Sequence, residues 1–355
     1  MKGFLLGAGA LVLLIAVGLG IGLVATTKPL TTLSGYIGTE KTAFLQDPQV
    51  VQILKDRYHL ALSITGMGSL EMVAQAPPTG MDFLWPSSQI PRELFQTQFP
   101  TVVLKSEVLL ASPLVLYSWD VVTTALEKNG YIHVKDGVAY FDEFPAFYKR
   151  ISGKAKWADL GLTQLYGTIS ITSTDPLKSN SGMLFASLLA QAAIGDLSDE
   201  KSLQKILPEI SAYFSRLGYL QASTGTLFED FLRSGMGQYP LICGYENQIT
   251  EFAAQNPGLW AKVRTHIKIL YPAPTIWSEH PLMTLTPAAG ALIAGLKDPE
   301  IQKIAWEVHG FRTQVAGSQS GDNSLGALGI PAEITQVIPA PRSATVVKLL
   351  AALPH

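Results

Sequence analysis

Residues 169–194 read ISITSTDPLKSNSGMLFASLLAQAAI. The β-branched run Ile169 to Ser173 predicts a strand. Asp175-Pro176 ends it, Ser179-Asn180-Ser181-Gly182 makes a tight turn of small residues, and the apolar stretch Met183 to Ile194 predicts a helix. Strand, turn and helix in succession are the unit of an α/β sheet.

Working outward, the same grammar recurs. Strands are expected at Thr32 to Ile37, Leu60 to Thr65 and Met81 to Trp85, followed by Gly38-Thr39-Glu40-Lys41, Gly68-Ser69 and Trp85-Pro86-Ser87-Ser88-Gln89. Helices are expected from Pro48 to Tyr58, Val121 to Asn129, Ser202 to Leu217, Leu220 to Arg233, Ile249 to Ala254, Pro287 to Leu296, Pro299 to Phe311 and Ser343 to Leu353. Further strands are expected at Thr101 to Leu110, Leu114 to Ser118, Pro240 to Tyr245 and Ile267 to Tyr271, the first two joined through Ser112-Pro113. A helix N-terminus offers free N–H groups and a positive dipole end. Small hydroxyl residues beside it add donors and let a ligand approach, so such turns suit an anion or another polar ligand. Ser and Asn are also ordinary helix caps, and either role accounts for any single turn. Lys41 and Lys178 are expected in solvent. Glu40 and Glu246 fit either a local salt bridge or cap, or contact with a cationic group and repulsion of wrong anions.

The chain has 355 residues, too many for one core and suited to two lobes. A net charge of −2 gives no basic field for nucleic acid. An uncharged segment from Gly3 to Thr27 follows Lys2 and is long enough to cross a bilayer core of about 30 Å. It lacks a good small-x-small cleavage site, so an uncleaved anchor with Met1 in the cytoplasm is expected.

Several stretches together resemble bacterial extracellular solute-binding proteins of the type II periplasmic-binding fold, in a branch related to molybdate- and sulfate-type binders. They are Gly35-Tyr36-Ile37-Gly38-Thr39-Glu40-Lys41, Gly68-Ser69-Leu70-Glu71-Met72, Ser112-Pro113-Leu114-Val115, residues 174–182, Gly244-Tyr245-Glu246-Asn247-Gln248 and His309-Gly310-Phe311-Arg312. The resemblance implies an α/β fold of two lobes preceded by one N-terminal transmembrane helix. The implied division is an anchor or signal over 1–30, the first lobe over 31–116, the second over 117–278, and a return to the first over 279–355. Ser112 to Trp119 and Tyr271 to Leu285 would cross between lobes. Thr39, Ser69, Ser87 and Ser88 would face Ser179, Asn180, Ser181 and Tyr245 across a ligand cleft. The implied partners are a small polar solute or oxyanion and an ABC transporter permease or other membrane partner. The body would lie in the periplasm or extracellular space, held to the inner membrane by its helix. No arginine falls within these turns, a departure that argues against a clamped carboxylate.

Enzyme signatures are missing from the sequence. The six histidines include no pair at helical metal spacing, and there is no Gly-x-Ser-x-Gly elbow, phosphate-cradling loop or dinucleotide fingerprint. No metal or cofactor is therefore expected. Ser202-Leu203-Gln204-Lys205 matches Ser-x-x-Lys only in letters, within a surface helix. Cys243, the single cysteine, reads as an inert core thiol. Trp85, Trp119, Tyr245 and Trp277 are candidates to line a pocket, and Trp157, Trp260 and Trp306 read as core. Three readings follow: a solute-binding module, an enzyme on the same fold, and an envelope interaction protein with a vestigial cleft.

Overall fold

Leu33, Gly35 and Ile37 are buried at period two, which makes β1 (Thr31–Gly38) a half-covered strand. The computed structural model describes residues 29–74, 79–313 and 328–354, and Thr32–His355 make up one unit. After β1 come a 3-10 turn over Thr39–Lys41, α1 (Thr42–Gln46) and α2 (Pro48–Tyr58). The Asp47 carboxylate caps α2 by accepting from the N–H groups of Gln49 and Val50, and Pro48 occupies the first turn, where its missing N–H is harmless. Next are β2 (Leu60–Met67), α3 (Ser69–Ala74), β3 (Phe83–Trp85) and α4 (Gln89–Gln98). β1 and β3 run parallel, so their C-terminal ends and the turns that follow lie side by side.

The two strands expected around Ser112-Pro113 are one, β4 (Lys105–Trp119). Pro113 stands at a changeover of partners. Pairing with β9 (Thr275–Thr284) ends at Pro113↔Trp277, and pairing with β7 (Leu241–Tyr245) begins at Leu114↔Tyr245. Such a position tolerates a residue without an N–H. β4 thus belongs to one half of the molecule over 105–113 and to the other over 114–119.

The second half contains α5 (Asp120–Lys128), β5 (His133–Lys135), β6 (Val138–Phe141), α6 (Phe144–Ser152), α7 (Asn180–Ile194), α8 (Glu200–Leu217), α9 (Thr224–Ser234), α10 (Asn247–Gln255), α11 (Pro257–Val263) and β8 (Ile267–Pro272). Residues 169–173 are not a strand. They make a single bridge, Thr172↔Ile242. The Tyr213 hydroxyl accepts the Ile171 N–H at 3.0 Å and donates to the Ile171 carbonyl at 2.6 Å, so a side chain satisfies the groups a ladder would have used. The chain then returns through β9, α12 (Gly290–Leu296) and α13 (Pro299–Glu307), and ends with β10 (Val337–Ile338) and α14 (Ser343–Ala351).

The strand path is β2-β1-β3-β9-β4-β8-β6-β5, with β10 beside β9 and β7 beside β4. Separate cores identify the two lobes. One contains Leu33, Ile37, Phe83, Leu282 and Phe311. In the other, Leu114 and Leu116 face one helix layer and Val115 and Tyr117 the opposite one. That is why Leu114 to Tyr117 is apolar without alternation: both faces of the strand are covered. Cys243 is buried in this second lobe, and burial pushes its thiol well above the usual range, as an inert core thiol requires. The last helix, α14, packs on α7 of the second lobe as well as α4 of the first, with Val346 and Leu349 in the second-lobe core. The expected membrane segment, Gly3 to Thr27, lies outside the described residues. Among the described residues, no helix is long and apolar enough to cross a membrane.

Candidate functional site

The turns after β1, β2 and β3 in the first lobe meet the start of α7 and the end of β7 in the second. Ser88 Oγ donates to Asn180 Oδ1 at 2.5 Å. The Asn180 amide nitrogen lies 2.7 Å from the Tyr245 hydroxyl, 3.1 Å from Ser278 Oγ and 3.4 Å from the Ser87 carbonyl. Leu70 N–H donates to the Lys178 carbonyl at 3.1 Å, and the Thr39 and Ser223 hydroxyls pair at 3.0 Å. Gly68 permits this approach, since a Cβ there would overlap the Lys178 carbonyl oxygen. Gly182 does the same for its own turn, where a Cβ would overlap the Thr174 carbonyl.

Thr39, Ser69, Ser87, Ser179, Asn180 and Tyr245 line one internal cavity between the lobes. Its free space is about 10 Å³, roughly one water-sized sphere. Two expected site residues stand back from it. Ser88 is committed to Asn180. Ser181 sits in a buried hydroxyl cluster, 2.7 Å from Thr174, 3.0 Å from Ser179 and 2.6 Å from Thr224. Thr39 and Glu40 also border an outer groove of about 520 Å³, which Phe228, Arg233, Glu251 and Phe252 close from the second lobe.

The first lobe holds a charged cluster that departs from the sequence reading. Lys41 is not solvated but fully buried, because its ammonium is paired to Glu40 and donates to Ser87 Oγ at 3.3 Å. Ser87 Oγ donates to Glu40 Oε1 at 2.5 Å, and Ser69 Oγ donates to Ser87 Oγ at 3.0 Å. Burial alone would raise the Glu40 carboxyl. Lys41, His280 and the hydrogen bonds from Lys41 and Ser87 outweigh it and hold the group at about 2. Gly38 makes room, since a Cβ there would lie 2.6 Å from Glu40 Oε1 and would overlap Ser87 Oγ.

His280 of β9 completes the cluster. Burial, reinforced by the Lys41 charge, lowers its imidazole to about 3, with Glu40 opposing. The ring is therefore neutral. Its Nδ1 faces the Lys41 ammonium at 3.4 Å and accepts, so its proton sits on Nε2, which has no hydrogen-bond partner among the described residues.

Glu246, the other acid with two readings, takes the salt-bridge role. Its carboxylate accepts from Arg312 Nε at 2.7 Å, Arg312 Nη2 at 2.9 Å and the Tyr271 hydroxyl at 2.7 Å. Arg312 also donates to the carbonyls of Pro331 and Ala332, and its guanidinium lies 5.8 Å from the Trp277 ring and 5.3 Å from Trp306. Trp277 thus serves this ion pair. Trp119 donates to the Tyr239 carbonyl within the second lobe, and buried Trp85 donates to the His280 carbonyl. Ser202 is half-buried at the start of α8 and donates to Asp199, which caps that helix. Among the described residues, no three His, Cys, Asp or Glu side chains gather as metal ligands would.

Sequence reasoning missed His280, Ser278 and Ser223. A signal existed for each: Ser278 and His280 are two apart on a strand and so share a face, and Ala222-Ser223-Thr224-Gly225 is another small hydroxyl turn opening a helix.

The sequence matches no family model and no curated protein. Solved structures do match in shape. The sulfate-binding protein SubI from Mycobacterium tuberculosis aligns over 90% of this chain and 96% of its own, at 15% identity and a TM-score of 0.55. The substrate binding protein of an ABC transporter from Agrobacterium tumefaciens aligns over 94% and 96%, at 14% and 0.54. Iron-bound HitA from Pseudomonas aeruginosa aligns over 91% and 98%, at 11% and 0.55. At such identities the likeness concerns the fold, and this chain has the mixed α/β, two-lobed fold of the solute-binding proteins.

Proposed function

We propose that this protein binds a small polar solute, an oxyanion in the first instance, between its lobes outside the cytoplasmic membrane, and passes it to an ABC-type transporter or signals it to a sensing partner. One observation carries the reading: small hydroxyl and amide groups from turns of both lobes converge on a single cavity at the N-terminus of the 15-residue α7. A helix N-terminus and uncharged donors can hold an anion without a cationic side chain. The fold supports the same reading, since proteins sharing it are described as binding sulfate, holding iron or serving an ABC transporter. With free space of about 10 Å³, the lobes must part before a solute enters. Closure then stabilises the complex only by what the solute gains in the closed form over the open one. The apolar segment from Gly3 to Thr27 would keep the body at the membrane, with Met1 inside.

Native mass spectrometry of the purified full-length chain tests this reading. A small solute should be carried with the folded protein and lost on denaturation. A bare folded mass after incubation with sulfate, molybdate, phosphate, sugars and amino acids would sink it.

A further inference from the structure

In the first lobe the sheet ends at β2, the terminal strand of the path, whose outer N–H and C=O groups face away from β1. Sheets exposed to water guard such edges with lysine, proline or inward-pointing charges. β2 has none of these and reads Leu60-Ala61-Leu62-Ser63-Ile64-Thr65-Gly66-Met67. A groove of about 480 Å³ runs between this edge and α2, lined by Leu45, Val51, Leu54, Leu60, Leu62 and Ile64. Val51 is 46% exposed, and Leu62 and Ile64 are half-buried. Contiguous apolar surface of this kind marks a contact site. Lys55 stands on the rim, exposed, and its ammonium has no partner among the described residues.

The connectivity says what lies beside this groove. The crossover through α1 and α2 joins β1 to β2, and Gly66, near the end of β2, packs on Thr39, just past the end of β1. A Cβ at Gly66 would lie 3.2 Å from Thr39 Cγ2. The two strands therefore finish together, and Leu60 lies at the end where the chain enters β1. Only Lys28-Pro29-Leu30 separates β1 from the apolar segment Gly3 to Thr27, a reach of about 14 Å at full extension. A body tethered so closely cannot swing clear of a bilayer that holds that segment.

We propose that the free edge of β2 and its groove are a lipid-contact surface, which lays the first lobe against the headgroup layer of the membrane. The proposal rests on the reading of Gly3 to Thr27 as an anchor. The chemistry sets the depth. Backbone groups of an open edge cannot enter hydrocarbon unpaired, but water and lipid ester and phosphate oxygens reach them at headgroup level. There Val51 and Leu62 can dip toward the acyl chains while Lys55 meets phosphate.

The test uses the full-length chain in nanodiscs of phosphatidylcholine and phosphatidylglycerol, with one spin label at a time on Val51→Cys, Ser63→Cys or, as the control on the second lobe, Lys205→Cys. Relaxation by oxygen, which concentrates in lipid, is compared with relaxation by a water-soluble nickel chelate. Labels at 51 and 63 should favour oxygen, and the label at 205 the chelate. Adding Leu62→Glu to Ser63→Cys should shift that label toward the chelate, with thermal melting confirming that the variant folds. Chelate preference at all three positions in chain held by nanodiscs would overturn the lipid contact and leave the anchor standing. So would an unchanged oxygen preference in the folded Leu62→Glu variant. Dipolar coupling between Val51→Cys labels would assign the groove to a second copy and overturn the lipid as occupant. Chain that elutes apart from the nanodiscs would overturn the anchor reading, and the lipid contact with it.

Discussion

Replacing Gly68 with alanine isolates lobe closure from folding. The added Cβ would overlap the Lys178 carbonyl oxygen and lie 2.9 Å from its carbonyl carbon, both backbone atoms that cannot rotate away. Gly68 is not at positive φ, so alanine fits its backbone, and the conflict exists only where the two lobes meet. Overpacking of this kind costs about 1–3 kcal/mol. If the cost falls on the closed form alone, solute affinity drops by roughly 5- to 150-fold, while each lobe keeps its own core. Calorimetry measures the affinity. Amide hydrogen exchange measures the closure, because the Leu70 N–H donates to Lys178 across the cleft and should lose protection in the variant. A Gly68→Ala protein that binds with wild-type affinity and keeps the Leu70 amide protected would refute this account of how the lobes meet.

Other outcomes follow from the same geometry. Glu246→Ala leaves the buried Arg312 guanidinium without its counter-ion and should cost about 3–5 kcal/mol in thermal or denaturant unfolding. Ser181→Ala removes the centre of the Thr174–Ser179–Thr224 hydroxyl cluster, behind the cavity, and should lower stability by about 1–3 kcal/mol with a smaller effect on solute affinity. Ser69→Ala, on the cavity wall, should weaken binding by roughly 3- to 100-fold in calorimetry. His280 gives a pH signature. The unfolded chain takes up a proton near pH 6.5, and the folded ring does not until about 3, so the unfolded state binds more protons in between. This residue's contribution should therefore fall as pH drops through that window, by at most about 1.4 kcal/mol per unit, and urea titrations of His280→Gln should show a shallower pH slope than wild type.

Much of this architecture is legible in the sequence where local chemistry decides it. Asp47-Pro48 marks the start of α2 because a cap and a preset φ act within one turn. The apolar run of α7 shows its burial because no side of that helix reaches solvent over Asn180–Ala190. Long-range partners decide what was misread. Lys41 reads as a surface lysine until β9 brings His280 beside it and the turn after β3 brings Ser87. Residues 169–173 have strand chemistry, but Tyr213, far away in sequence, takes both backbone hydrogen bonds of Ile171 in their middle. Ser112-Pro113 looks like a break between strands because proline usually ends one, and only the exchange of partners along β4 lets it stay inside. Within the candidate site, the small hydroxyl turns could be found from their pattern. Their division into cavity wall and supporting cluster could not, since it depends on which hydroxyl meets which across the lobes.

Interlobe distance is the most direct test of solute-driven closure. Cys243 is buried, so cysteines introduced at exposed Lys55 on α2 and Lys205 on α8 can carry spin labels selectively, one on each lobe. Pulsed dipolar spectroscopy on the dialysed full-length protein, then with phosphate, arsenate, sulfate and molybdate in turn, reports the separation. A bound solute should collapse the distribution to one short distance, and Gly68→Ala should retain the longer one. An identical distribution in the wild type under every condition, with no shift in the variant, would contradict the claim that this fold closes on a solute.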